Sequence, residues 1–138
     1  MSIIYNIGIG IYTLGIKAAA LSGNEKAKLW VDGRRSLFDK LEKKISELDR
    51  ERANHKRIWF HISSLGEFEI GRSVIESIRE QYPDYQLILT FFSPSGYQVR
   101  KNYPFVDCTF YLPADTPRNA KRFLEILKPD IAFFVKYD

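Results

Sequence analysis

The chain has 138 residues, of which 45% are hydrophobic and 14% aromatic, so it can form one domain with a core and is not a disordered segment. Its net charge of +4 predicts an anionic partner, but Lys and Arg are scattered among acidic residues, which favours a phosphorylated lipid or a nucleotide over a nucleic-acid groove. The single cysteine, Cys108, excludes an internal disulfide, and no Cys/His spacing indicates a metal site.

The first 21 residues are apolar and carry one charge, Lys17. With Lys17 snorkelling, this length reaches the roughly 20 residues that span a bilayer, so we predict a spanning or interfacial membrane helix over residues 1–22. The cations that follow it, Lys26, Lys28, Arg34 and Arg35, would keep the downstream domain on the cytoplasmic side. A cleaved signal peptide and a core helix packed on the domain are the two alternatives.

Residues 23–56 are predicted to be a helical lead-in. The sequence Ser22-Gly23-Asn24 indicates a break, and Gly33 a second one. From Ser36 to about Arg52 the apolar residues recur at helical spacing, which predicts an amphipathic helix that packs one face. Those residues are Leu37, Phe38, Leu41, Ile45 and Leu48.

From residue 57 onward the chain alternates strand and helix. We predict strands over 57–62, 86–92, about 108–112 and 131–135, with helices after the Ser63 turn, over about 96–102 and over about 117–127. The last strand is an unbroken apolar run, Ile131 to Val135, typical of a strand covered on both faces. The pattern predicts an α/β fold with a doubly wound parallel sheet and helices on both faces.

The segment Ser63-Ser64-Leu65-Gly66-Glu67-Phe68-Glu69 follows the first strand and begins a helix. Ligands of open α/β sheets bind at this carboxyl edge, where Glu67 is a candidate general base. The alternative is structural, because Ser64 with Glu67 three residues on forms a capping box.

Two further turns, Ser93 to Gly96 and Leu112 to Thr116, should reach the same edge together with residues 136–138. Helix N-termini with hydroxyls and glycines bind anions. The candidate binding residues are Ser63, Ser64, Gly66, Arg72, Ser93, Ser95, Gly96 and Asp138. Arg72 could instead pair with Glu69 or Glu76 on its own helix, and His61 fits a core or edge position better than a catalytic one.

The motifs Trp59-Phe60-His61, Ser64-Leu65-Gly66-Glu67, Ser93-Pro94-Ser95-Gly96 and Tyr111-Leu112-Pro113-Ala114-Asp115-Thr116-Pro117, in this order, resemble the amino-terminal half of the 3-deoxy-D-manno-octulosonic acid (Kdo) transferases of Gram-negative bacteria. The likeness covers nearly the whole chain. One position departs from it, since many members carry Glu-Thr-Glu after the last strand, where this chain has Lys136-Tyr137-Asp138.

The resemblance implies a Rossmann-like, acceptor-side domain over residues 57–138, one half of a GT-B glycosyltransferase whose carboxyl-terminal donor domain is absent here. It also implies an inverting, metal-independent reaction without a cofactor, in which Glu67 deprotonates the acceptor hydroxyl. The donor would be CMP-Kdo and the acceptor a lipid A precursor of lipopolysaccharide synthesis, at the cytoplasmic face of the inner membrane. The fragment alone would then be inactive.

Two other functions remain open at this point. One is a non-catalytic, membrane-peripheral module that binds anionic lipid through Lys17, Lys26 and Arg34. The other is a GT-B glycosyltransferase that uses another nucleotide sugar.

Overall fold

The computed structural model describes residues 2–136, so Asp138, a predicted binding residue, lies outside the described part. Three helices come first: α1 (Ile3–Leu21), α2 (Glu25–Gly33) and α3 (Leu37–Glu51). Strands and helices then alternate: β1 (Arg57–Ile62), α4 (Leu65–Gln81), β2 (Gln86–Phe91), α5 (Pro94–Arg100), β3 (Cys108–Tyr111), α6 (Pro117–Leu127) and β4 (Ile131–Val135).

The four strands form one parallel sheet in the order β3-β2-β1-β4. Helices α4 and α5 pack on one face, where their side chains join the even-numbered residues of β1 in a core cluster. Helices α3 and α6 cover the other face around Trp59. The predicted α/β fold with helices on both faces is therefore confirmed.

The β strands form because their apolar runs are buried between these helix layers. All six residues of β2 are buried, as expected for the centre of a doubly covered sheet. The cluster under α4 and α5 consists of Ile58, Phe60, Ile62, Phe68, Ile75, Leu87, Leu89, Phe91 and Tyr103. The cluster under α3 and α6 consists of Leu41, Ile45, Leu48, Trp59, Ile88, Phe123 and Leu127.

Charged residues fasten the amino-terminal ends of the strands. The buried guanidinium of Arg57 donates to the side-chain oxygen of Gln86 (2.8 and 2.6 Å) and to the carbonyl of Leu127 (2.6 Å), and it pairs with Asp49. Asp107 binds both Arg79 (2.8 Å) and Arg52. These bonds satisfy buried polar groups and fix the end of the sheet opposite the candidate site.

The strand β4 does not have the two covered faces that its apolar sequence predicts, and this expectation is wrong. It is the edge strand beside β1, its first four residues are exposed, and Phe134 is 64% exposed. An apolar run specifies burial only where neighbouring elements supply the cover. Helix α4 covers β4 at Val135, which lies against Gly71, and the first four residues of the strand stay exposed.

Helix α5 begins two residues earlier than predicted, at Pro94 rather than Gly96. The Ser93 hydroxyl accepts from the Ser95 N–H at 3.3 Å and Pro94 occupies the first turn, where its missing N–H costs nothing.

Helix α1 lies on the surface along α2, and none of its residues is buried. The Tyr12 ring meets Trp30 of α2 edge-on, with ring centroids 6.4 Å apart, and the Tyr5 hydroxyl donates to Asp115. The opposite face exposes Ile3, Ile4, Ile7, Ile11, Leu14 and Leu21. By length and mean hydropathy (1.4) α1 could cross a membrane, a property that signal sequences share.

Candidate functional site

The carboxyl ends of β1, β2 and β3 bring three turns to one edge of the sheet. The Ser93 N–H donates to the Ser63 carbonyl at 2.8 Å, which joins the turn after β2 to the turn after β1. The Leu112 N–H donates to the Phe91 carbonyl at 2.8 Å, which joins the turn after β3. The three turns thus meet as the parallel topology predicts.

Glu67 lies in the first turn of α4 and its carboxylate folds back over the turn. Its Oε2 accepts from the backbone N–H groups of Ser63 (2.8 Å) and Ser64 (3.2 Å). This is the carboxylate half of the capping box, so the structural alternative is present in the molecule. Both N–H groups bind Oε2, and neither of them occupies Oε1.

Glu67 also lines a surface cavity. This cavity has a volume of about 510 Å³ and is formed by Ser64, Gly66, Glu67 and Ile70. Apart from the chain neighbours of Gly66 and the backbone of its own helix, no atom lies within 4 Å of the position that a Cβ would take there, so other elements leave the approach over Gly66 open. The cap therefore orients Glu67 without closing it off from a small polar group.

The second turn supplies hydroxyl groups. The Ser93 and Ser95 oxygens are 2.9 Å apart, and Ser95 is exposed. Gly96 is buried instead, and a Cβ there would overlap the ring of Phe91. The glycine allows α5 to approach β2, a packing reason that is separate from the predicted binding role.

Arg72 is held on the surface of α4. Its guanidinium pairs with Glu69 (3.6 Å) and Glu76 (3.8 Å), one turn to either side. These are the surface pairs that sequence spacing offers as the alternative to ligand binding.

His61 is half-buried in β1, and its Nδ1 lies 2.9 Å from the Thr90 hydroxyl. The same hydroxyl accepts from the Trp59 indole at 2.8 Å. Burial lowers the pKa of His61, although hydrogen bonding to Thr90 and the nearby charge of Glu67 oppose this. Burial therefore favours the neutral ring, and His61 has the core or edge position expected from the sequence.

Arg34 is a residue at this edge that the sequence interpretation misplaced. Its side chain donates to the carbonyls of Leu112 (2.8 Å), Phe92 (2.9 Å) and Trp30 (3.2 Å), tying α2 to the second and third turns. Burial lowers the pKa of Arg34 to about 10. The guanidinium is engaged by these carbonyls, and the lipid contact that the alternative function assigns to Arg34 stays a prediction. Nothing in the sequence distinguishes Arg34 from the exposed Arg35 beside it.

A family model described as 3-deoxy-D-manno-octulosonic-acid transferase (kdotransferase) matches residues 36–138. The α1–α2 hairpin, residues 3–33, lies outside this match.

The chain is also similar to curated proteins, each named 3-deoxy-D-manno-octulosonic acid transferase. The protein of Aquifex aeolicus is 32% identical over 80 residues, which cover 57% of this chain and 22% of the relative. The protein of Chlamydia trachomatis serovar D is 31% identical over 83 residues (59% and 19%), and that of Haemophilus influenzae 28% over 81 residues (57% and 19%). These matches span about a fifth of each relative's length. No solved structure gives a significant match.

Proposed function

The family model matches residues 36–138, which are most of this chain, so the chain belongs to the 3-deoxy-D-manno-octulosonic acid transferase family, and we propose that it forms the acceptor side of a GT-B Kdo transferase. The donor, CMP-Kdo, would bind mainly to a second domain. The acceptor would be a lipid A precursor. The observation that carries the proposal is the carboxylate of Glu67, held at the sheet edge beside an open cavity.

In the proposed reaction Glu67 acts as the general base. The carboxylate takes the proton of the glucosamine 6-hydroxyl as that oxygen attacks the anomeric carbon of Kdo. The new C–O bond forms on the face opposite the departing CMP, which leaves with the electrons of its glycosidic bond, so the configuration inverts. Two backbone N–H groups on Oε2 fix the carboxylate, and Oε1 is the oxygen free to accept the proton.

The second and third turns would receive polar groups of the acceptor. The adjacent hydroxyls of Ser93 and Ser95 and the helix N-termini at this edge suit a phosphate or carboxylate. We include Ser63, Ser64 and Gly66 among the acceptor contacts because they border Glu67. An acceptor contact by Gly96, Arg72 or Asp138 remains a prediction from the sequence. The proposal involves no metal or other cofactor, and EDTA should leave the rate unchanged.

We further propose that the domain works at the cytoplasmic face of the inner membrane. Helix α1 exposes an isoleucine-rich face, and Lys17, Lys26 and Lys28 are exposed around its carboxyl-terminal end. An apolar helix face with nearby cations is the combination that binds an anionic lipid surface.

The test is Glu67→Gln in the full-length enzyme, assayed for Kdo transfer from CMP-Kdo to a lipid A precursor. Gln keeps an oxygen for the Ser63 and Ser64 N–H groups, so the domain should stay folded by circular dichroism. Loss of the base should lower kcat by about 10²-fold to 10⁴-fold. Glu69→Gln is the matched control, since Glu69 is exposed on the same turn and its ion pairs with described residues are those with Arg72 and Arg100.

Turnover by Glu67→Gln within a few-fold of the wild type would reduce Glu67 to a helix cap and remove the proposed mechanism. A screen of other nucleotide sugars with the same enzyme checks the donor.

A further inference from the structure

A cavity of about 310 Å³ lies between the α1–α2 hairpin and the turn after β2. Its walls are mainly apolar: Tyr12 and Ile16 come from α1, Ala27 and Trp30 from α2, and Phe92 and Pro94 from the β2–α5 turn. Its volume is within the range of small-molecule sites. The cavity also reaches Ser93, one of the candidate acceptor residues.

Lys26 borders this cavity, is exposed and makes no ion pair with any described residue. Trp30 forms part of the wall and is only 6% exposed, and its indole Nε1 is buried away from the open space of the cavity. Mainly apolar walls beside one cation suit an apolar chain that is attached to an anionic group.

The position of the cavity indicates where such a chain would come from. One wall is α1, whose other face carries the exposed isoleucines, and the opposite wall is the turn that holds Ser93. The cavity therefore lies between the surface that would contact lipid and the edge where Glu67 is held. The hairpin that builds it lies outside the part of the chain that matches the family model.

We propose that this cavity binds one acyl chain of the lipid acceptor, with Lys26 beside an anionic group of the lipid headgroup. The inference rests on the proposed function, because it assigns the apolar part of the acceptor to a defined place. The cavity would hold the acceptor partly out of the bilayer, with the sugar of the acceptor directed toward Ser93 and Glu67.

The experiment uses 12-bromododecanoic acid below its micelle concentration, since bromine quenches a nearby tryptophan. The chain has two tryptophans, Trp30 in this cavity and Trp59 in the sheet. We expect saturable quenching of the wild type and its disappearance in Trp30→Phe, which retains only Trp59. Quenching that persists in Trp30→Phe, or that grows linearly without saturation, would overturn the proposal.

Filling the cavity gives a matched pair of variants on α2. Ala27 lines this cavity, whereas Val31, one turn later, lines two neighbouring cavities and not this one. Ala27→Phe should weaken the apparent affinity for bromododecanoate by about tenfold or more, because the added ring occupies the site. Val31→Phe should bind like the wild type, and equal weakening by both variants would contradict the assignment. Circular dichroism of both variants verifies that the helices are intact.

The contact between Lys26 and an anionic group is tested with 12-bromododecanol, which has the same chain as the acid but no charge. Lys26→Gln should weaken binding of the acid by about threefold and leave the alcohol unchanged. The quenching assay does not require Kdo transfer, so its outcome is separable from that of the enzymatic test. Transfer without saturable quenching would remove the acyl site alone, and quenching without transfer would leave a lipid site in a protein of another function.

Discussion

Glu67 shows that a helix cap and a chemical role are compatible in one carboxylate. The Ser63 and Ser64 N–H groups both bind Oε2, so they orient the group and occupy a single oxygen. A carboxylate fixed in this way loses little freedom when a substrate hydroxyl arrives, which is an advantage for a general base. The capping geometry alone therefore does not argue against catalysis, and the Gln variant separates the two roles.

The glycines of the two turns give a prediction at the residue scale. Gly96→Ala should destabilise the domain by about 1–3 kcal/mol, because its Cβ overlaps the buried Phe91 ring and the helix must shift. Gly66→Ala should change stability by less than about 1 kcal/mol, or increase it, since its Cβ meets no atom within 4 Å and alanine favours helix. Urea denaturation measures both, and equal losses would contradict the packing role of Gly96.

The meeting of Ser63, Ser93 and Leu112 could be predicted from sequence, because parallel strands separated by short helices must end at one edge. The sequence does not predict whether an individual arginine is buried or exposed. Arg34 and Arg35 are adjacent and chemically identical, yet one is enclosed by three carbonyls and the other is exposed. Their difference arises from how α2 docks on the sheet, which is a tertiary contact without a local sequence signal.

At the scale of elements, Arg34 joins the α1–α2 hairpin to the sheet edge by hydrogen bonds to the carbonyls of Phe92 and Leu112. Arg34 lies 3.8 Å above the Trp30 ring and also near the rings of Phe92 and Tyr111. A lysine would keep the charge but could not reach three carbonyls in one plane.

Arg34→Lys should therefore weaken the docking of α2 by about 2 kcal/mol, the size of a hydrogen bond to a charged group. We expect faster amide hydrogen exchange over residues 25–35, with exchange in β1 and β2 unchanged. Arg35→Lys is the control, because Arg35 makes one exposed ion pair with Asp32 at 3.6 Å. Unaltered exchange in Arg34→Lys would show that the apolar contacts alone hold the hairpin.

The periodicity of apolar residues predicts which segments are helices and which are strands. The predictions that differ from the structure concern the burial of β4 and the first residue of α5. The sequence of β4 is as apolar as that of β2, but β2 is central and β4 lies at the edge. The start of α5 depended on Ser93 acting as the cap before Pro94. Periodicity reports which face is apolar, while the number of neighbours is a property of the sheet.

At the scale of the whole molecule, α1 lies along the domain instead of projecting from it. A helix that contacts Asp115 near its start and Trp30 near its middle cannot cross a bilayer while these contacts persist. We therefore expect α1 to lie in the plane of the membrane with its isoleucines in the lipid.

Labelling of Ser2→Cys in a Cys108→Ser background distinguishes the two orientations. With α1 in the plane, a membrane-impermeant maleimide should label residue 2 from the cytoplasmic face of inside-out vesicles, as it labels the control Lys28→Cys. Labelling from the opposite face alone would show that α1 spans. In the wild-type chain burial and the charge of Asp107 raise the pKa of Cys108 to about 12, so its background reaction at pH 7 should be slow.

The bonds of Arg57, Arg52, Arg79 and Asp107 have a consequence for how this molecule tolerates change. These ion pairs lie at the amino-terminal end of the sheet, whereas the groups to which we assign chemistry lie at its carboxyl-terminal end. Substitutions at the amino-terminal end should therefore lower the yield of folded protein, and substitutions at the carboxyl-terminal end should lower turnover. On this arrangement the substrate-binding residues can change while the ion pairs that stabilise the domain stay in place.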